Sequence, residues 1–231
     1  NYKDSVALSA GAVSVTGTVT INLAGLTAIQ GTYQLLSFTG TAPDKAKFTL
    51  GSNPPLNART PSSALDIVGS QLVYIVQGST LYWTGAETSA WTINPVGNNQ
   101  NWALDDGDVA TPDATDDYLA GDAVTFDNRA TTTTVAIDDA DVSPLSVQIS
   151  GSKDFTFQGS KAIAGSASLA MSGSGVLVLG TTNTFTGAAL LNSGQVRVSS
   201  ADAAGKGALT LGGASLSSDS TTAYTLGNSA V

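Results

Sequence analysis

Apolar and polar residues alternate along the first part of the chain in short runs: "AVSVTGTVTINL", "GTYQLLSFTG", "KFTLG" and "SQLVYIV". Alternation with a period of two, broken by Gly, Asn and Pro, predicts half-buried strands. The interval from Gly51 to Ser63, "GSNPPLNARTPSS", holds three of the seven prolines and predicts a loop. No helical period runs longer than a turn or two. From Val135 the pattern repeats itself. "GSASLAMSG", "GSGVLVLG", "NSGQVRVSS", "GKGALTLGG" and "GASLSSD" each place small residues before an apolar–any–apolar triplet and a turn after it. The steps are irregular, 19 residues from Leu177 to Val196 and 13 from Val196 to Leu209. Each unit has one apolar face that it cannot bury alone, which is the logic of a solenoid whose neighbours complete the core. An antiparallel sandwich has similar strands but no reason to repeat them in register. The fold class expected is therefore all-β, a β-solenoid.

Between the two patterns the character changes. All three tryptophans, Trp83, Trp91 and Trp102, fall in this stretch, and eleven of the eighteen acidic residues lie between Asp105 and Asp141, opposed by Arg129 alone. The expected organisation is a strand-rich segment at 1–78, a Trp- and Asp-rich cap with loops at 79–132, and a solenoid at 133–231.

Composition narrows the chemistry. The 231 residues are 42% hydrophobic but only 12% charged, about half the usual charged share, which suits strands and turns. With no cysteine and no histidine, disulfides, thiolate nucleophiles, Cys/His zinc sites and imidazole bases are excluded. A Ser-His-Asp site cannot be built from the many serines and threonines. The net charge of -9 argues against nucleic acid or an anionic membrane as partner, because nothing would neutralise phosphates. No apolar run is long enough to span a bilayer. The chain opens "NYKDSVALSAG" without methionine and reads as a piece of a longer protein.

The stretch Ser172 to Gly213, "SGSGVLVLGTTNTFTGAALLNSGQVRVSSADAAGKGALTLGG", resembles the passenger-associated strand repeat of bacterial autotransporter proteins. Gly173, Gly175, Leu177, Leu179, Asn183, Thr184, Phe185, Thr186, Gly187, Leu191, Gly194, Val196 and Val198 stand on its positions, while Ala188 and Ala189 replace its usual Gly-Thr. Upstream, "LYWTGAETSAWTINPVGNNQNWALDDGD" and "GDAVTFDN" are similar to the W…W…N-W…D-x-V-x-F segment that often opens such β-helices. The resemblance covers about Leu81 to Leu216. It implies that 133–231 is a right-handed parallel β-helix and that 1–78 ends a preceding module, the whole exported to the bacterial outer surface or secreted, without intrinsic catalysis. The partners implied are a host glycan or a surface protein.

Three groups are candidates for specific roles. In "NTFTG", Asn183 suits bonding to backbone at a coil corner, Gly187 a positive φ, and Phe185 a plug in the interior; a ligand loop is the rival reading. No cofactor is expected, and calcium is the one candidate: the loop carrying Asp105, Asp106, Asp108, Asp113, Asp116 and Asp117 concentrates hard oxygen ligands that suit it. Its spacing fits no EF-hand, and the plain alternative is a solvated acidic surface. Paired carboxylates also serve glycoside hydrolysis, but a loop so rich in aspartate offers such pairs by chance. The indoles of Trp83, Trp91 and Trp102 read either as a platform for sugar rings or as an apolar plug over the open end of the β-helix.

Overall fold

A computed structural model of the chain describes residues 6–12, 14–23, 31–52, 63–76, 78–93, 101–105 and 115–229. The chain divides into two compact units, Asn1–Gly78 and Ser79–Val231. The described residues contain no α-helix, in keeping with a sequence whose apolar positions follow a period of two.

In the first unit the strands are β1 (Val6–Ala12), β2 (Val19–Asn22), β3 (Gly31–Thr39), β4 (Phe48–Ser52), β5 (Ser63–Val68) and β6 (Gln71–Val76). β1 pairs in parallel with β3, and β2 pairs in parallel with β4 in a separate sheet. The other side of β3 carries antiparallel β6, and β5 folds back on β6 through a tight turn in which Gly69 takes φ +60°. Phe38, Phe48, Leu65, Leu72, Tyr74 and Val76 form a core of this unit's own. Most of the proline-rich interval lies outside the described residues. Its ends, Gly51–Ser52 and Ser63, belong to β4 and β5.

The second unit begins with β7 (Thr80–Trp83), β8 (Trp102–Leu104), β9 (Thr115–Asp116), β10 (Ala123–Phe126) and β11 (Thr134–Ala136). It continues with β12 (Ser146–Ile149), β13 (Phe155–Gln158), β14 (Ser168–Met171) and β15 (Val176–Leu179). The last are β16 (Ala189–Leu191), β17 (Gln195–Val198), β18 (Leu209–Leu211) and β19 (Ser215–Ser218). Alternate strands join two sheets: β7, β10, β12, β14, β16 and β18 run parallel in one, and β11, β13, β15, β17 and β19 in the other. The result is a β-solenoid of about four turns.

Register explains the irregular spacing. Val124, Val147, Leu169, Ala189 and Leu209 stack in one sheet, at steps of 23, 22, 20 and 20 residues. Leu177 does stack on Val196, but Val196 then stacks on Leu216, not Leu209. The 13-residue step therefore passes from one sheet to the other. Repeats of a short triplet look alike in both sheets, so the sequence alone does not separate them.

The interior is filled by these columns. Phe126, Ile149, Met171 and Leu191 form a second column in the first sheet, and Val135, Phe157, Leu179 and Val198 one in the other, all buried. Each such side chain, fully withdrawn from water, contributes about 1.5–3 kcal/mol. Outward positions between them are Thr125, Gln148, Ala170, Leu190 and Thr210. Asx side chains tie coil to coil at the corners. The Oδ1 atoms of Asn128, Asp138, Asp141 and Asp154 accept the backbone N–H groups of Ser152, Ser160, Ala162 and Val176 at 2.7–2.9 Å.

Candidate functional site

The N-terminal end of the solenoid is where the tryptophans and aspartates gather. Here the parallel stack gives way to antiparallel pairing: β8 runs against β7, matching Trp102 to Trp83, and β9 runs against β8. A parallel sheet edge thus ends in a short hairpin strand, one of the ways proteins blunt an edge.

Trp83, Trp91 and Trp102 are 0%, 0% and 2% exposed. Their faces meet one another and other rings. Trp83 and Trp102 pack edge-to-face at 5.0 Å, Trp91 and Trp102 at 5.3 Å, and Trp91 and Tyr118 at 5.3 Å. Phe126 touches all three tryptophans and, deeper in the stack, Phe155 and Phe157. Such pairs add about 0.5–1.5 kcal/mol each beyond their burial. The Trp83 indole N–H donates to Thr132 O at 2.7 Å, while those of Trp91 and Trp102 are buried without a partner. Sugar rings stack on exposed aromatic faces, and none of the three indoles presents one.

The acidic residues separate into different jobs. Asp105 is gripped by Arg129, whose terminal nitrogens donate to its Oδ1 and Oδ2 at 3.3 and 3.1 Å. Arg129 Nε donates to both oxygens of Asp127, and the guanidinium lies 3.6 Å over the Tyr82 ring. Partial burial works to lower the pKa of this guanidinium, but the bonds to Asp127 and Asp105 outweigh it and hold it above its ordinary value. Asp116 Oδ1 accepts the N–H of Asp117 at 2.7 Å. Asp106, Asp108 and Asp113 lie outside the described residues. Among the described residues, no group of three or more His, Cys, Asp or Glu is placed to hold a metal ion.

At the repeat corner, Asn183 is fully buried. Its Oδ1 accepts Ile163 N–H from the coil before and the Thr181 hydroxyl, each at 2.9 Å, and its Nδ2 donates to Ala203 O in the coil after at 2.7 Å. Phe185 is buried in the interior. Gly187 differs from the expectation of a positive φ: it is not among the glycines in that region. The coils pass so closely there that a Cβ would run into Ala167 O of the coil before, so close approach is what requires glycine.

Two further residues organise the cap, of which the sequence singles out Asp122 only as a neighbour of the acidic loop and Asn101 not at all. Asn101 is fully buried; its Oδ1 accepts Glu87 and Thr88 N–H, its Nδ2 donates to Thr88 Oγ1 and Ala90 O, and its carbonyl accepts Thr84 and Gly85 N–H. Asp122, also fully buried, accepts Ser79 N–H at 2.9 Å and Leu119 N–H at 2.7 Å, joining the start of the unit to β10. Both stand in the N-W and D-x-V-x-F pieces of the upstream motif, which was the available signal.

Fold and cap together define an all-β solenoid whose N-terminal end is closed by a hairpin over an aromatic cluster. Comparison with known proteins gives no match: no family model, no curated protein and no solved structure aligns with the chain.

Proposed function

We propose that this chain is a non-catalytic structural and interaction segment of an exported, autotransporter-like bacterial surface protein, a β-helical stalk or adhesin scaffold. The observation that carries the reading is the use made of polar side chains. Asn101, Asp122, Asn128, Asp138, Asp141, Asp154 and Asn183 all bind backbone groups, most of them in a neighbouring coil. Groups committed to the scaffold are poor acids, bases or ligands, because withdrawing them breaks a tie to the backbone, and at Asp122 and Asn183 leaves buried N–H groups unpaired. The likeness of Ser172–Gly213 to the passenger-associated repeat adds the surface location, and a host glycan or surface protein is the partner such a scaffold would present to.

The test is an assay of the purified chain against polysaccharide and peptide panels, alongside variants with Asp-to-Asn changes at Asp105, Asp116, Asp117 and Asp127. No turnover is expected from any of them. Cleavage by the parent chain that disappears in the variants would overturn the reading. Calcium at millimolar concentration is expected to leave the melting temperature unchanged, since Asp105 is already paired with Arg129. A bound ion would raise it by mass action.

A further inference from the structure

In the first unit β5 is the last strand of its sheet, bonded to β6 on one side and to no described strand on the other. Only Gly69 and Ser70 separate the two strands, so Val68 and Gln71 form the bonded pair that closes the hairpin. Along β5 the N–H groups of Ala64, Asp66 and Val68 therefore face β6, and those of Ser63, Leu65 and Ile67 face the open edge. The strand, "SALDIV", is apolar except for Ser63 and Asp66, and Val68 is 54% exposed. Such an edge is a template for another strand. Asp66 interrupts it. Its Oδ1 accepts the Ile67 N–H at 2.9 Å, and Lys45, from the short 3-10 turn Lys45–Lys47, reaches the same oxygen at 3.0 Å. The bond from Lys45, and then that from the Ile67 N–H, hold the carboxyl below its ordinary value, so it is charged at neutral pH. The last strand of the second unit's first sheet carries the same arrangement: Asp116 in β9 accepts the N–H of Asp117.

We infer that β5 is a docking edge for β5 of a second copy of this chain, and that Asp66, clasped by Lys45, keeps it shut. A second copy fits because the strand is its own antiparallel complement. Turned about Leu65, it sets Leu65 against Leu65, Ser63 against Ile67 and Ala64 against Asp66. Every edge N–H then meets a carbonyl, and no carboxylate stands directly opposite another. The obstacle is Asp66 itself. Its carboxylate occupies the Ile67 N–H that the Ser63 carbonyl of the second copy needs, and an added strand would withdraw that charge from water. As an exposed ion pair, Lys45 and Asp66 add little to folding, so their effect falls on association. The inference is drawn from this edge alone and stands apart from the proposed role at the cell surface.

The experiment is sedimentation of the full chain across micromolar concentrations, beside Asp66→Ala and the double variant Ala64→Lys with Asp66→Ala. The parent is expected to stay monomeric. Asp66→Ala is expected to dimerise, with amide exchange at Leu65 and Ile67 slowing about tenfold or more as the dimer fills. The lysine of the double variant, a charge restored to the edge, is expected to return the monomer. Asp66→Thr, which suits a strand and lacks the carboxylate, puts the same question if the alanine variant unfolds. Variants at Asp66 that fold and stay monomeric would overturn the inference. So would a dimer that leaves the β5 amides unprotected, or a parent chain that dimerises as readily as the variants.

Discussion

At the scale of single residues, the chain spends its few buried polar groups on backbone. Asn183 shows the stakes: replacing it by alanine strands Ile163 N–H and Ala203 O in the interior. Asn183→Ala is therefore expected to cost about 2–4 kcal/mol, measured as a shift in the urea midpoint at constant slope. Tyr118 gives a pH signature. Burial, aided by the charge of Asp122, raises its pKa above the ordinary value of 10.0. Above roughly pH 10 the unfolded chain releases this proton and the folded chain keeps it, so the unfolded state binds fewer protons and stability falls as pH rises. The expected slope is up to about 1.4 kcal/mol per pH unit, and Tyr118→Phe should flatten it in alkaline urea titrations. Asn183 and Phe185 were legible in "NTFTG" because a corner amide and an interior ring follow from local pattern. Gly187 was legible as glycine but not in its reason, since the approach of Ala167 O depends on how coils stack. Asn101 reaches Glu87, Thr88 and Ala90 and Asp122 reaches Ser79, pairings that the motif pieces marking these two residues do not specify.

At the scale of elements, the alternating triplets announced the strands, yet could not say which triplet lies on which. Register is decided across turns of 20–23 residues, and the two sheets share one kind of triplet. The hairpin of β8 and β9 is held by the cap more than by its own length, and Arg129 is its principal clasp through Asp105. Arg129→Ala is expected to destabilise the second unit by about 1–3 kcal/mol, the loss of charge-assisted bonds and of the Tyr82 contact. Faster amide exchange in Trp102–Asp105 would check it. Arg129→Lys should recover only part, because lysine lacks the planar fork that engages two carboxylates.

At the scale of the whole molecule, two hydrophobic cores are distinct: one is built around Leu72 and Tyr74, the other around the tryptophans and the coil columns. Every tryptophan belongs to the second. Leu72→Ala is expected to cost about 2–5 kcal/mol in the first core and to move the far-UV transition while the tryptophan fluorescence transition stays in place. The stacked coils of the second unit also have a mechanical meaning. Coils joined edge to edge along one axis form links in series, so a pull along that axis puts the same force on every interface and the weakest parts first. The hairpin-closed end resists, and the open end yields first. Each coil released there pays out a strip of about 20 residues, roughly 6–7 nm of chain at about 3.3–3.6 Å per residue. Under force this segment would lengthen in steps that grow slightly from the open end inward, as coils of 20 residues give way to coils of 22 and 23, a shock absorber that unwinds turn by turn.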